Sequence, residues 1–325
     1  MNTSIRQSGL TEEQLQHFDH CGFVIIEDLL DQEDLLQSIR REYADVLNQW
    51  CDQWVQQQLL SQAILKKSFE EQLIAVYRSG LDYCQPLDIS LPPGKVFSDT
   101  PFHAGPAVFE LLVYEPLLAC VESVLGSELT SNPIQHVRIK PPEQFVADDE
   151  VRSFITSTEW HQDRATALSE ADNTEMVTVW AAITDATEQN GCLQVIPGSH
   201  RKLLNPHCPL PQLGIPDKLI ESDQALPLPV RSGSVILFHP LTIHGSLPNK
   251  TSSIRWSFDL RFHKTGQPSG RPMFPSFIAR SRMHPANELR DASQWKQMWL
   301  DARDSLSAQE PVEIHRWRAD ASICA

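Results

Sequence analysis

The sequence predicts a mainly β protein with flanking helices, built on a β-sandwich or jelly-roll core. Up to Leu125, apolar residues recur at the spacing of about 3.6 residues that is typical of amphipathic helices. Beyond Gly126 they form short β-rich runs, which proline, glycine and asparagine separate. Several short strands at such spacing are typical of sandwiches and jelly rolls.

The first 130 residues are predicted to be mainly helical. Thr11 is a predicted helix N-cap, because its hydroxyl can accept a hydrogen bond from the backbone of the first turn. The apolar run 22–26 predicts one short strand between helices. Over residues 32–78, leucine and isoleucine recur among Gln, Glu and Arg, which predicts one or two long amphipathic helices. A second helical pair is predicted over 107–125.

Strands are predicted in the middle of the chain, where β-rich runs lie between turn residues. The predicted strands lie near 134–140, 153–160, 175–183, 192–196, 234–239 and 253–262. Asn190-Gly191 is typical of a tight hairpin turn. Between His200 and Pro229, five prolines interrupt a stretch that is too long for a simple connection. We expect this stretch to be a lid or substrate loop.

The simplest domain organisation is a single domain over residues 1–325. Residues 1–130 would form a mainly helical buttress, 131–263 the jelly-roll core and 264–325 a C-terminal extension. The extension is predicted to contain a closing helix near 292–305. The sequence has no internal repeat or low-complexity tract.

The charge balance argues against a nucleic-acid partner. With 27 basic and 42 acidic side chains, the formal charge is -15, which opposes binding to phosphate backbones. No apolar stretch reaches the roughly 18 residues needed to span a membrane, and the N-terminus lacks the apolar core of a signal peptide. The seven cysteines are scattered without a CxxC pair, which favours reduced thiols. These features predict a cytoplasmic protein that acts on a small molecule.

His161 and Asp163 are the first candidate metal ligands. Residues two apart on a strand point to the same side, so this imidazole and this carboxylate can converge on one ion. The pattern alone is weak, since His17 and Asp19 repeat it in a predicted helix, where positions two apart diverge. The sequence therefore needs a third ligand elsewhere to make a metal site.

His244 is the preferred third ligand, because it follows a predicted strand downstream. His239 competes for this role, but it sits before Pro240 at the end of that strand. Two His and one carboxylate on Fe(II) leave open positions, which a chelating cosubstrate and O2 require.

The segment 253–262 alternates polar and apolar residues without a break. If its polar face lines the barrel, Arg255 can bind a carboxylate with both arms of its guanidinium, and the Ser257 hydroxyl can support it. If that face is exposed, the segment is an edge strand with a solvated side.

These stretches together resemble the phytanoyl-CoA dioxygenase family over most of the chain. The stretches that carry the resemblance are Leu10-Thr11-Glu12-Glu13-Gln14-Leu15 before Gly22-Phe23-Val24, Ile139-Lys140-Pro141-Pro142, Trp160-His161-Gln162-Asp163, Asn190-Gly191-Cys192-Leu193, Pro197-Gly198-Ser199-His200, and His244-Gly245-Ser246 with Asn249 and Arg255. The resemblance implies a cupin-like double-stranded β-helix as the form of the jelly roll.

The resemblance also implies roles for individual residues. His161, Asp163 and His244 would bind iron, and Arg255, eleven residues after His244, would bind the C5 carboxylate of 2-oxoglutarate. Ser246, Trp180 and His136 would lie beside this cosubstrate, with Lys95 as a further candidate contact.

The predicted activity is that of an Fe(II)- and 2-oxoglutarate-dependent dioxygenase. It would use O2 to hydroxylate an unactivated C–H bond of a small molecule, with release of succinate and CO2. The alternative is a cupin-like metal-dependent isomerase or hydrolase without a cosubstrate, in which Arg255 would be a surface residue. The sequence leaves the primary substrate and the oligomeric state open.

Overall fold

The computed structural model describes residues 9–146, 155–209, 213–311, 316–317 and 322–324. Helices α1 to α7 are Glu12–Cys21, Leu35–Gln56, Phe69–Arg78, Cys84–Leu87, Pro106–Leu112, Glu115–Leu125 and Ala292–Ser307. Strands β1 to β9 are Phe23–Ile26, Glu128–Lys140, Met176–Ala182, Leu193–Val195, Leu226–Leu228, Val235–Phe238, His244–Ser246, Arg255–Lys264 and Phe277–Ser281.

Polar caps set the limits of the N-terminal helices. Thr11 accepts from the backbone of Gln14, whose side chain accepts from the Thr11 N–H, so the predicted cap of α1 is confirmed. Ser68 forms the same capping box with Glu71 at the start of α3. This second cap explains why the apolar pattern over 32–78 folds as two α-helices rather than one.

Two antiparallel sheets form the jelly-roll core. The larger sheet has the strand order β1-β6-β3-β8-β2-β9, and the smaller has the order β5-β4-β7. One apolar cluster joins side chains from both sheets, including Trp180 and Phe238 of the larger and Leu193 and Leu228 of the smaller. The sheets therefore pack face to face, and the predicted fold class is confirmed.

The other face of the larger sheet packs against helices. Val179, Leu237 and Phe258 belong to a continuous apolar core that also includes Leu36 of α2 and Leu118 of α6. Burial of these side chains fixes the sheet to its helical layer. The opposite face of the same strands is left to form the interior between the two sheets.

The predicted strand 153–160 is wrong where the structure describes it. Residues 155–160 are not a strand, and 153–154 lie outside the described residues. The segment still lies beside β7, because Ser246 N–H donates to the Thr158 carbonyl at 3.1 Å. In the other direction Thr158 N–H donates to the Ser246 hydroxyl at 2.8 Å, so a side chain replaces the carbonyl of a regular ladder.

The predicted hairpin at Asn190-Gly191 is also wrong. Asn190 Oδ1 accepts from Thr187 N–H at 2.7 Å, and Gly191 has a φ of 90°, so a tight turn is present. The strands on either side, β3 and β4, lie in different sheets. The turn therefore leads the chain from one sheet to the other.

Three short strands were not predicted from the sequence. β5 lies within the proline-rich stretch before Pro229 and pairs with β4, and β7 and β9 follow later in the chain. Strands of three to five residues carry too few side chains for a clear period of two.

The expectation of reduced thiols is wrong for one pair. Cys208 and Cys324 form a disulfide with their Cα atoms 5.5 Å apart. Near the C-terminus, Trp317 Nε1 donates to the Ala165 carbonyl at 3.2 Å, which places this part of the chain beside the metal-ligand segment. Five cysteines are free thiols: Cys21, Cys51, Cys84, Cys120 and Cys192.

No helix in the described part of the chain has the length and apolar character needed to cross a bilayer.

Candidate active site

The three predicted metal ligands come from segments that the smaller sheet brings together. His161 and His244 form an isolated antiparallel bridge, in which each backbone N–H donates to the other's carbonyl at 2.9 and 3.0 Å. Asp163 begins the short 3-10 helix Asp163–Thr166 immediately after this bridge. Backbone pairing therefore places the two imidazoles side by side, with the carboxylate close to both.

The ligand atoms of these side chains lie within 4.8 Å of one another. Asp163 Oδ1 is 3.7 Å from His161 Nε2, and Asp163 Oδ2 is 3.9 Å from His244 Nε2. Each imidazole pairs its Nδ1 with a carbonyl two residues upstream, Glu159 at 2.9 Å and Thr242 at 3.0 Å. A carbonyl only accepts, so Nδ1 carries the proton and Nε2 keeps its lone pair for a metal.

A buried guanidinium fixes the carboxylate of Asp163. Arg261 Nη2 donates to Asp163 Oδ1 at 2.5 Å, and Arg261 Nη1 donates to the Ile134 carbonyl at 2.9 Å. Burial raises the pKa of Asp163, but the positive charge of Arg261 outweighs it and holds the pKa below its usual range. Asp163 Oδ2 is buried and has no hydrogen-bond partner.

These residues fit a divalent metal ion. Burial and the neighbouring His244 lower the pKa of His161 to about 3, so its imidazole is in the neutral, metal-binding form. Phe238 stacks on His244 with ring centroids 5.0 Å apart, which holds that ring in place. A cation between the two Nε2 atoms and Asp163 Oδ2 would satisfy the one carboxylate oxygen that lacks a partner.

The structure places His239, the competing ligand, outside this group. Its ring lies 5.2 Å from that of His200, and its Nδ1 accepts from the Leu241 N–H at 3.2 Å. His17, of the decoy motif, packs edge-on against Phe23 at 5.1 Å. The His239 lone pair is already used by the backbone.

A cavity opens beside the three ligands, between the two sheets. The side chains that line it are Arg138, Thr158, His161, Asp163, Thr178, Trp180, Leu193, Phe238, His244, Arg255 and Asp259. Most of them lie on the inward face of the larger sheet, so the polar face of β8 lines the barrel and is not solvated.

Arg255 carries a buried positive charge at one end of this cavity. It is 1% exposed, and Nη1 donates to the Ser257 hydroxyl at 2.6 Å. Its guanidinium lies 5.5 Å from the Trp180 ring, and its Nε has no partner. Burial lowers the pKa of Arg255 to about 10. Within the described residues no carboxylate forms an ion pair with Arg255, so an anionic ligand would relieve its desolvation.

Lys140 adds a second buried cation beside Arg255. The two residues are directly paired between β2 and β8. Lys140 Nζ donates to the Ser246 hydroxyl, and its ammonium group is completely buried. Burial, followed by the charge of Arg255, lowers the pKa of Lys140 well below its usual range. Arg255 therefore supplies the positive charge that lines this end of the cavity, and Lys140 adds a buried basic group beside it.

The other predicted cosubstrate contacts have mixed positions. Trp180 lines the cavity, whereas Ser246 and Ser257 are not among the lining residues. The Ser246 hydroxyl accepts a hydrogen bond from Lys140, and the Ser257 hydroxyl accepts one from Arg255. His136 is not among the lining residues; its Nδ1 pairs with Asp88 Oδ2 at 2.9 Å.

Lys95 contacts residues near the end of α7 rather than residues that line this cavity. It is exposed and donates to the carbonyls of Ser307 and Gln309 at the end of α7. This arrangement gives no support to Lys95 as a cosubstrate contact.

Sequence reasoning missed three charged residues of the site: Arg138, Asp259 and Arg261. Arg138 Nε donates to Asp259 Oδ2 in a buried ion pair that lines the cavity. Asp259 and Arg261 continue the alternation that begins at Arg255 and Ser257, so the period of two on β8 was the signal that could have found them.

The chain is similar in sequence to one family of known proteins. A family model described as phytanoyl-CoA dioxygenase (PhyH) matches residues 18–257. The chain is 24% identical over 261 residues to the peroxisomal phytanoyl-CoA dioxygenase of Mus musculus, an alignment that covers 78% of this chain and 68% of the relative. It is 28% identical over 165 residues to a probable phytanoyl-CoA dioxygenase of Caenorhabditis elegans, covering 47% and 50% of the two chains.

Two solved structures share the fold. The non-heme monooxygenase ThoJ, in its apo form, has a TM-score of 0.57 and 18% identity, and the superposition covers 90% of this chain and 96% of ThoJ. The epimerase SnoN, in complex with Fe3+, alpha ketoglutarate and nogalamycin RO, has a TM-score of 0.51 and 16% identity over 80% of this chain and 86% of SnoN.

Proposed function

The chain belongs to the phytanoyl-CoA dioxygenase family, and from this premise we propose that it is an Fe(II)- and 2-oxoglutarate-dependent oxygenase. His161, Asp163 and His244 would hold the iron. Arg255 would bind the C5 carboxylate of 2-oxoglutarate, with Trp180 beside it and Ser257 in support.

One observation carries this proposal: a metal-ligand group and an unpaired buried cation line the same cavity. A cupin-like isomerase or hydrolase would need the metal group alone. It would leave Arg255 buried, charged and without a counter-ion, which is costly in a protein interior. A dicarboxylate that reaches from the metal to Arg255 accounts for both features.

Bound iron and 2-oxoglutarate would react with O2 to supply the oxidant for a C–H bond, with one oxygen atom going to succinate and the other to the product, and with release of CO2. The protein holds the ligands in one orientation through the carbonyls of Glu159 and Thr242 and through Arg261. Phe238 and Leu193 line the cavity with apolar surface, which excludes water from the reacting groups.

Within this reaction class we propose hydroxylation as the outcome. Side chains occupy all three coordination positions that the protein would supply to the iron. Oxygen transfer to a small molecule is therefore the simplest reaction for the site. The epimerase among the structural relatives uses the same fold with a different outcome by its name. The cytoplasmic location stays a prediction, since the mouse relative is peroxisomal by name.

The first test is whether Arg255→Lys weakens 2-oxoglutarate binding more than metal binding. Lysine keeps the charge but cannot make two parallel hydrogen bonds to a carboxylate. We expect the affinity for 2-oxoglutarate to fall roughly tenfold or more. Anaerobic calorimetry measures the two affinities separately, with Fe(II) titrated into metal-free protein and 2-oxoglutarate titrated into Fe(II)-loaded protein.

Arg280→Lys is the matched control. Arg280, on the outer strand β9, is also buried, at 2% exposure. Unlike Arg255, it forms an ion pair, with Glu122 at 2.7 Å. This variant should bind 2-oxoglutarate as the wild type does. An Arg255→Lys variant with unchanged affinity, or a wild-type protein that never forms succinate from 2-oxoglutarate, would favour the cupin-like alternative.

A further inference from the structure

The cavity contains five buried polar atoms that have no hydrogen-bond partner among the described residues. They are Asp163 Oδ2, Thr178 Oγ1, Trp180 Nε1, Arg255 Nε and Asp259 Oδ1. Buried polar atoms are costly unless a partner satisfies them, so a ligand that fills this cavity gains by hydrogen bonding to them.

Two kinds of ligand account for most of these atoms. Asp163 Oδ2 is an acceptor that faces the proposed metal position. Trp180 Nε1 and Arg255 Nε are donors, and the carboxylates of 2-oxoglutarate accept hydrogen bonds. Thr178 has a hydroxyl that can donate or accept, so it does not discriminate between ligands.

Asp259 Oδ1 is the atom that neither ligand satisfies. Burial raises the pKa of Asp259, but Arg138 and Arg261 outweigh it and lower the pKa, so the group is an ionised acceptor. 2-Oxoglutarate is a dianion without a hydrogen-bond donor, and it would be repelled there. The metal position lies at Asp163. A third molecule with a donor group, either an ordered water or the substrate, would satisfy this oxygen.

The surrounding charge restricts what that donor can be. Arg138 Nε donates to Asp259 Oδ2 and already neutralises the carboxylate. Arg261 also lowers the pKa of Asp259, and Arg255 lies on the same face of β8. An ammonium group would place a further positive charge beside Arg138 and Arg261, whereas a neutral hydroxyl would not.

We propose that the primary substrate is a small molecule with a hydroxyl group that donates to Asp259 Oδ1, and that the Arg138–Asp259 pair determines this specificity. This inference rests on the proposed function, because it assigns the atom left over after metal and cosubstrate. Asp259 is 8% exposed and lines the cavity next to the metal ligands, so the hydroxyl would lie close to the carbon that reacts.

A molecule without this hydroxyl should bind less well. It would leave a charged oxygen desolvated and unpaired, a mismatch that sites built for a polar group reject strongly. We expect a preference of roughly tenfold or more for an alcohol over its deoxy analogue. A fully apolar chain is the least suitable substrate for this position.

The test uses three probes that share one benzyl group: benzyl alcohol, toluene and benzylamine. Each is titrated into the full chain, loaded anaerobically with Fe(II) and 2-oxoglutarate, and binding is measured by saturation-transfer NMR. Wild type should bind benzyl alcohol roughly tenfold more tightly than toluene, and more tightly than benzylamine. Asp259→Asn keeps a carbonyl acceptor and should keep this order.

Asp259→Leu should abolish the preference for the alcohol. Because this change removes the carboxylate that pairs with Arg138 Nε, the double variant Arg138→Met/Asp259→Leu removes both charges and serves if the single variant does not fold. In each variant, calorimetry with 2-oxoglutarate alone is measured beside the probes.

The outcomes separate this inference from the proposed function. Wild type that binds 2-oxoglutarate but prefers toluene, prefers benzylamine or binds none of the probes overturns the hydroxyl assignment alone. A preference that survives in Asp259→Leu, or a loss of 2-oxoglutarate binding equal to that of Arg255→Lys, overturns the role of Asp259 in substrate specificity. Failure of wild type to bind 2-oxoglutarate overturns the proposed function itself.

Discussion

The two faces of strand β8 have opposite compositions. The helix-facing side carries the apolar residues Trp256, Phe258, Leu260 and Phe262. The cavity-facing side carries the polar residues Arg255, Ser257, Asp259 and Arg261. Both sets are buried, so the two faces do not differ in solvent exposure. They differ in the chemical groups that the neighbouring elements place against them.

On the helix-facing side, the large side chains of β8 make packing contacts. Trp256 stacks on Phe69 with ring centroids 5.2 Å apart and lies 5.1 Å from the ring of Tyr43. Phe258 meets the same Tyr43 ring edge-on at 5.7 Å. Such burial is favourable wherever it occurs, so this face stabilises the fold without any ligand.

On the cavity-facing side, stability depends on partners. Asp259 pairs with Arg138 and Asp163 with Arg261, but Arg255 has no carboxylate within the described residues. Buried charges of this kind cost stability unless they are paired, and they are retained at functional sites. One strand therefore combines a face that supports folding with a face that is completed by ligands.

The strongest test of this division removes the metal ligands. We expect His161→Ala, Asp163→Ala and His244→Ala each to abolish 2-oxoglutarate turnover and leave the fold intact, because an open metal site rarely supports a core. Succinate formation and circular dichroism, measured side by side, check the two parts. Asp163→Ala also leaves Arg261 unpaired, so it is the variant with the largest loss of stability among the three.

His239→Ala is the control for the choice of distal ligand. His239 lies near His200 and outside the group of ligand atoms. The His239→Ala variant should therefore keep its 2-oxoglutarate turnover. The opposite pattern, with full turnover in His244→Ala and none in His239→Ala, would contradict the assignment.

The next test changes the helix-facing side. Phe258→Ala removes a fully buried ring and should lower the free energy of unfolding by about 3–5 kcal/mol. Urea denaturation measures this loss, and calorimetry on the folded fraction should find near wild-type affinity for 2-oxoglutarate. A large change in affinity with little change in stability would mean that the two faces are not independent.

The sequence predicted the parts of the molecule that long patterns encode. The alternation over 253–262 and the helical spacing over 32–78 each extend across many residues, so one exception does not hide them. The triad came from a spacing rule on a strand and from the family resemblance. The structure brings these ligands together, and their roles remain predictions.

What the sequence could not predict depends on distant residues. Cys208 and Cys324 are separated by 116 positions, and only the folded path of the C-terminal residues brings them together. The segment 155–160 lacks a regular ladder because a hydroxyl of Ser246 takes the place of a carbonyl. The pairing of Arg138 with Asp259 depends in the same way on the register between β2 and β8.

The smallest and most discriminating test is Ser257→Ala, next to Phe258 on the same strand. Ser257 accepts from Arg255 Nη1 at 2.6 Å, so the change removes one hydrogen bond that orients the guanidinium. A single hydrogen bond of this kind contributes about 1 kcal/mol, which corresponds to roughly a fivefold loss in 2-oxoglutarate affinity. The free energy of unfolding should change by less than about 1 kcal/mol, since no large apolar group is lost. Calorimetry and urea denaturation on Ser257→Ala and Phe258→Ala together then give opposite patterns for adjacent residues. If Ser257→Ala instead lowered stability as much as Phe258→Ala and left the affinity unchanged, the cavity-facing side of β8 would be structural, and the binding role of Arg255 would lose its support.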